Sequence, residues 1–185
     1  MLFLLAARSV AAQAGGFIKP DPKLDSLSAS LRDDYLVFRD TLRAIDAASS
    51  RLTRDIRTAS GALLLSRNRA VRAACANALA SIDSARQNLL GSPKAGQAPL
   101  GTRTELDKTV GELRPALSRC VAEFDGFSTP AGAIAVRDAG ARSASDAVLT
   151  GKKFERAAEV FLNMLGITVR PYGAGGPNPF AGSAN

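Results

Sequence analysis

Two cysteines divide this chain into parts that are expected to fold against each other. Cys75 and Cys120 each belong to an apolar row whose members recur every three or four residues, the spacing of one helix face. If the chain folds back near residue 97, the two cysteines lie side by side on antiparallel helices. This turning point falls in the Gly/Pro-rich segment 91–101. The pattern predicts a helical hairpin closed by a Cys75–Cys120 disulfide, with free buried thiols as the alternative. The rows are Val71, Cys75, Ala78, Ile82, Ala85, Leu89 and Leu106, Val110, Leu113, Leu117, Cys120, Phe124.

A third apolar row precedes the hairpin. It follows Pro22, which suits the first position of a helix capped by Asp21, and it steps by three or four residues as far as Leu63. This spacing predicts a first helix of about 40 residues, roughly 60 Å long at 1.5 Å per residue. We place its end in a turn near Ser66 to Asn68, although the segment is also compatible with a continuous helix.

In that register the first half of helix one has no partner on helix two. Three things could cover it: the amphipathic helix that contains Phe154 and Phe161, a second copy of the chain, or a different protein. We treat this part of the row as a candidate partner-binding surface. Its residues are Leu24, Leu27, Leu31, Tyr35, Phe38 and Leu42.

Composition also favours helices packed through aliphatic side chains. Hydrophobic residues make up 46% of the 185 residues, but aromatic residues only 5%, so Leu, Ala, Val and Ile must fill the core. The predicted fold is all-α, an antiparallel three- to four-helix bundle over residues 22–166. An extended linker at 13–21 precedes it, and a flexible Gly/Pro-rich tail at 167–185 follows it.

Positive charge is concentrated around the predicted first turn. The formal net charge is +7, and six arginines lie between residues 51 and 72 with Asp55 as the one acidic residue among them. Such a cluster is expected to attract an acidic protein surface or anionic lipid headgroups. The alternative is that these side chains only solubilise a helix end and suit its dipole. The basic patch comprises Arg51, Arg54, Arg57, Arg67, Arg69 and Arg72.

The residue types needed for most enzymatic chemistry are missing. The chain has no histidine, the commonest general base and transition-metal ligand. Two cysteines 45 positions apart cannot form a Cys-x-x-Cys redox pair or a four-cysteine metal site. Neighbouring carboxylates such as Asp33 and Asp34 point in different directions on a helix. We therefore expect no catalytic residue, no metal ligand, no cofactor and no enzymatic activity.

Residues 1–12 determine the expected compartment. They hold an apolar core followed by small residues, as at the end of a secretory signal peptide, although no basic residue precedes the core. The alternatives are a short apolar anchor that is retained, or an ordinary apolar N-terminus. We expect a periplasmic or other extracytoplasmic location with membrane association, and a cytoplasmic location is the alternative.

These features predict a non-enzymatic interaction or scaffold protein. We expect an exported accessory subunit bound to an envelope or membrane protein complex, such as an energy-transducing one. Two other classes stay open: a small-ligand-binding or sensor bundle, and a cytoplasmic basic protein associated with nucleic acid. Nucleic acid is the less expected partner, because no aromatic side chains for base stacking lie among the arginines. Homo-oligomerisation is compatible with the sequence.

Overall fold

The computed structural model describes residues 22–125 and 129–169, and the predictions for 1–12, 13–21 and the tail beyond 169 lie outside these ranges. The described backbone forms helices and no strand, which confirms the all-α class. The helices are α1 (Pro22–Asp55), α2 (Gly61–Leu90), α3 (Leu100–Glu123), α4 (Pro130–Ala135) and α5 (Arg137–Met164), with a short 3-10 helix at Ala95–Gln97.

Helix α1 is shorter than predicted, with 34 residues instead of about 40, and the first turn lies at residues 56–60 rather than near Ser66 to Asn68. Ser60 caps α2 by accepting a hydrogen bond from the Leu63 amide, which satisfies one of the free amides at the helix start. Gly61 then packs against the loop and helix that follow α3, because a Cβ on it would lie 2.8 Å from Pro130 Cβ. The cap and this close contact end α1 early, although the apolar spacing continues.

The earlier turn changes the register between α1 and α2. Arg67 pairs with Asp55 beside the turn, and the Lys94 ammonium at the far end contacts the Ser28 hydroxyl. Helix α2 therefore runs antiparallel to α1 almost from end to end. The first half of helix one therefore has a partner on helix two, contrary to the register that the sequence predicted.

The predicted register between α2 and α3 is confirmed. The Sγ atoms of Cys75 and Cys120 lie 2.08 Å apart, at disulfide-bonding distance. Arg86 donates to Asp107 at 2.6 Å towards the turn, and Arg72 donates to Asp125 at 2.6 Å towards the other end. The turn between the two helices lies in the predicted Gly/Pro-rich segment 91–101.

Helix α5, with 28 residues, contains the predicted amphipathic stretch around Phe154 and Phe161 and extends N-terminally from it through Ala-rich sequence. Small residues on its buried face let it approach its neighbours: Gly140 lies against the Phe124 ring, and Gly151 lies against Leu42. Ile167 and Val169 are also buried, so the packed region continues three residues past the predicted boundary at 166.

The four long helices contact one another in a closed order. Helix α1 packs on α2, α2 on α3, α3 on α5, and α5 on α1, while the short α4 lies mainly against α2. Cross-helix pairs show that α3 and α5 are antiparallel, as Arg119 bonds to Asp146 and Lys153 to Glu112. The buried side chains form one continuous hydrophobic cluster.

Candidate functional site

The predicted partner-binding row on α1 is largely buried within the protein itself. Tyr35, Phe38 and Leu42 are at most 4% exposed, and Leu31 is 2% exposed. Helix α5 covers them: the rings of Phe38 and Phe154 meet edge to face with centroids 5.2 Å apart. The prediction of an apolar docking surface is therefore wrong for these four residues, because the C-terminal helix is the cover. Leu27 is partly buried, and the side chain of Leu24 lies outside the described part of the structure.

The six arginines of the predicted basic patch flank the turn between α1 and α2, and we call this region the arginine end. Two of them are neutralised by aspartates, since Arg67 Nε lies 2.7 Å from Asp55 Oδ2 and Arg72 Nε lies 2.6 Å from Asp125 Oδ1. The other four are exposed, and no ion-pair partner for them occurs among the described residues. They are Arg51, Arg54, Arg57 and Arg69.

The remaining surface balances its charges more closely. Basic side chains on α2, α3 and α5 pair with carboxylates on the neighbouring helix, and these pairs hold adjacent helices in register. Exposed pairs of this kind stabilise a protein by only about 0–1 kcal/mol each. Their effect on the surface field is larger, because each pair cancels a charge. Among the described residues, the arginine end therefore holds a group of four unpaired arginines, which concentrates positive potential there. The pairs are Arg86–Asp107, Arg114–Asp83, Arg119–Asp146, Lys153–Glu112 and Lys152–Asp46.

A groove runs along the contact between α1 and α5. Its first part, the charged segment, has a volume of about 290 Å³ and an apolar floor that includes Leu42 and Gly151. Three acidic and three basic side chains surround this floor. They are Arg43, Asp46, Lys152, Glu155, Arg156 and Glu159.

Buried polar groups connect the charged segment to the core. The hydroxyl of Tyr35 donates to Glu159 Oε1 at 3.1 Å, and the Arg39 guanidinium lies 5.7 Å from the centre of the Tyr35 ring. Burial and the nearby Glu159 raise the pKa of Tyr35 well above its usual range, so the tyrosine remains a hydrogen-bond donor. Burial also raises the pKa of Glu155, although the positive charge of Arg43 opposes the shift.

The groove continues towards the arginine end as a second part, the hydroxyl segment. This part has a volume of about 530 Å³, and four of its nine lining residues carry hydroxyl groups. Lys152 and Asp46 line both segments, with Nζ and Oδ2 3.3 Å apart. Arg54 lies at the other end. The hydroxyl residues are Ser49, Ser50, Thr53 and Ser145.

Sequence patterns identified the arginine end but not the groove. The groove depends on how α5 is aligned with α1, and no sequence signal specified that alignment. One residue did give a signal: Ser49 occupies a position of the apolar row on α1, and it is buried in the structure. A polar residue on the core face of a helix marks a place where packing alone does not explain the sequence.

The groove and the arginine end are candidate binding surfaces of this protein. Within residues 22–125 and 129–169, no three or more His, Cys, Asp or Glu side chains are arranged to hold a metal ion. None of the helices in these ranges is long and apolar enough to cross a membrane. Comparisons with protein-family models, curated proteins and solved structures found no match to this chain. The chain is thus a small, basic, all-α protein whose candidate sites are an arginine-rich end and an interhelical groove.

Proposed function

We propose that this protein is a non-enzymatic interaction protein that binds an acidic protein surface through its arginine end. The observation that carries the proposal is that Arg51, Arg54, Arg57 and Arg69 are exposed without carboxylate partners in the described structure, whereas Arg86, Arg114 and Arg119 pair with carboxylates across helices. Uncompensated charge of one sign steers an oppositely charged partner and orients it on contact. Arginine is also among the residues enriched in protein interfaces.

The remainder of the molecule would act as a scaffold that presents this end. The closed order of helix contacts supports a description as an antiparallel four-helix bundle. Because both helices that carry the arginine end pack along their whole length, the cluster would be held on a rigid support. Rigid presentation lowers the entropy cost of binding.

We further propose that the protein is an exported accessory subunit of an envelope or membrane protein complex. The paired positions of Cys75 and Cys120 support an oxidising compartment, where disulfides persist. The apolar sequence of residues 1–12 supports export or anchoring. Intact mass measured with and without reductant, before and after thiol alkylation, tests this proposal. A native protein with two thiols that alkylate without reduction would contradict it.

Quantitative capture from detergent-solubilised membranes tests the arginine end. The bait is the full chain with Arg51, Arg57 and Arg69 changed to Gln, compared with wild type and with a control that loses the same charge elsewhere through Arg32, Lys108 and Arg156 to Gln. We expect an acidic partner to be recovered with wild type and control, but several-fold less with the arginine-end variant. Recovery should also fall as salt rises. Equal recovery with both variants would refute the proposal.

Nucleic acid is the competing partner for the same arginines, because its phosphates bind guanidinium groups. The same variants can be tested with duplex DNA in a mobility-shift titration. Suppose that the protein binds DNA more tightly than any captured protein and loses that binding only in the arginine-end variant. A nucleic-acid-associated protein would then be favoured over a protein-binding accessory subunit.

The groove between α1 and α5 favours a second candidate function, small-ligand binding. It combines an apolar floor with converging polar groups, which is the usual make-up of small-molecule sites. Native mass spectrometry of protein purified from its own host under mild conditions tests this candidate. A stoichiometric additional mass that disappears on denaturation would support it, and a native mass equal to that of the chain alone would count against it.

A further inference from the structure

We propose that the hydroxyl segment of the α1–α5 groove binds a phosphate- or sulfate-type oxyanion. This site lies beside the arginine end and shares Arg54 with it, but its hydroxyl groups and Lys152 do not belong to that end. The inference goes beyond partner binding and does not depend on it.

Two facing rows of side chains form the site. On α1 the row is Asp46, Ser49 and Thr53, and on α5 it is Ser145 and Lys152 with Val148 and Leu149 between them. Each row follows the spacing of one helix face, so its members line the same side of the groove. Lys152 and Asp46 form an ion pair between the two rows, with Nζ and Oδ2 3.3 Å apart.

The concentration of hydroxyl groups is costly to the fold. Ser and Thr are poor helix formers in helix interiors, yet four of them meet here. Ser49 is only 7% exposed and stands between Ile45 and Leu52 in the apolar row, where an aliphatic side chain would bury more apolar surface. A local conflict of this kind without a packing benefit indicates a functional role.

The charges around the hydroxyls favour an anion. Arg54 and Lys152 line the groove, against Asp46 as its single acidic side chain. Arg142 on α5 lies about one helical turn from Ser145, towards the arginine end, and is exposed. A tetrahedral oxyanion offers several acceptor atoms to several hydroxyl donors at once, which one carboxylate group does less well.

The rim of the groove indicates what kind of group could be attached to the oxyanion. Leu149 lines it and is 61% exposed, so an apolar substituent on the oxyanion would find a contact there. Free phosphate, a soluble phosphate ester and a phospholipid headgroup share the chemistry that the hydroxyls and cations recognise. The experiment separates these three sources.

The test is a titration of the full-length, ¹⁵N-labelled oxidised protein with sodium phosphate, compared with sodium chloride at equal ionic strength. Phosphate should cause saturable shifts of the backbone amides around Ser49 to Arg54 and Ser145 to Lys152. Changing Thr53 to Val and Ser145 to Ala together should weaken binding by about a hundredfold or more, because two hydrogen bonds to a charged group are lost. The matched control, Ser84 and Ser118 to Ala, removes two exposed hydroxyls on α2 and α3 and should bind as wild type does.

A second variant is expected to change the affinity for phosphate in the opposite direction. Asp46→Asn removes the carboxylate that repels an anion and that occupies Lys152, so binding should become several-fold tighter. Shifts that chloride reproduces, wild-type affinity in the Thr53/Ser145 variant, or weaker binding by Asp46→Asn would each overturn the proposal.

Parallel arms use glycerol 3-phosphate, and vesicles of phosphatidylglycerol against vesicles of phosphatidylcholine. The probe that binds most tightly identifies the source of the oxyanion. Binding of any probe supports the site only if the Thr53/Ser145 and Asp46 variants change its affinity. Vesicle binding that ignores those variants would overturn the site as a headgroup site. Changing Arg51, Arg57 and Arg69 to Gln, none of which lines the groove, should lower partner capture several-fold while leaving saturable phosphate shifts in the groove. The two proposals therefore fail separately.

Discussion

At the scale of single residues, two glycines show how closely the helices approach one another. Gly140 on α5 lies against the ring of Phe124, and a Cβ built on it would be 2.4 Å from Cε1. Gly111 on α3 has no atom within 4 Å of the corresponding position. Both positions are helical, so alanine has the same intrinsic advantage at each, and only the surroundings differ.

Alanine at these two glycines should change stability in opposite directions. Gly140→Ala should lower the free energy of unfolding by about 1–2 kcal/mol, since the overpacking cost exceeds the gain in helix propensity. Gly111→Ala should raise it by up to about 1 kcal/mol, because no clash offsets that gain. Urea unfolding followed by circular dichroism measures both values. Similar effects at the two sites would mean that α5 does not approach Phe124 so closely.

Glu155 provides a test of the charged segment. Burial raises its pKa, with Arg43 and then Glu159, Arg39 and Lys152 as the charged groups around it. The folded state therefore binds the proton more tightly than the unfolded state does. The stability contributed by this group is fully present below the unfolded pKa of about 4.3 and is lost as pH rises through the folded pKa.

Glu155→Gln removes this titration. The free energy of unfolding of the variant, relative to wild type, should therefore increase as pH is raised from about 4 to 7. Denaturant titrations of both proteins at several pH values give the difference directly. A difference that stays constant or decreases over that interval would show that the surrounding cations stabilise the ionised carboxylate at least as much as burial disfavours it.

At the scale of elements, the two helix pairs show what the sequence could specify. The register of α2 on α3 was predictable because the cysteine positions and the Gly/Pro-rich segment gave two independent constraints that agree. The register of α1 on α2 was not, since the apolar spacing continues through residues 56–63 and the turn depends on a distant contact, Gly61 against Pro130. The same reasoning applies to the candidate sites. Charge counts located the arginine end, but the groove required the alignment of α5.

The disulfide should contribute substantially to the pairing of α2 and α3. Changing Cys75 and Cys120 together to Ala should lower the free energy of unfolding by about 4 kcal/mol, the chain-entropy value for a loop of 45 residues. Each side chain is fully buried, and Ala keeps the site apolar. Guanidinium unfolding of wild type and variant, each with and without reductant, provides the measurement. A variant as stable as oxidised wild type would indicate that the bond does not form.

At the scale of the whole molecule, α5 determines whether the apolar row of α1 is interior or surface. Phe154 is fully buried and contacts Phe38, so Phe154→Ala should lower the free energy of unfolding by about 3–5 kcal/mol. Val160→Ala on the same helix, at a residue that is 48% exposed, should change it by less than about 0.5 kcal/mol.

Hydrogen exchange on the Phe154→Ala variant distinguishes one cooperative unit from two. If the four long helices unfold together, amides on α1 and α5 should lose the same protection, because each loses the cover that the other provides. If α5 alone lost protection while α1 and α2 kept theirs, α5 would be a separable cover. Leu31, Tyr35, Phe38 and Leu42 would then become accessible whenever it opened, and an apolar partner could compete for that row. We expect the first result, because the Phe38–Phe154 contact, the Tyr35–Glu159 hydrogen bond and the Asp46–Lys152 pair tie α5 to α1 at three separate levels.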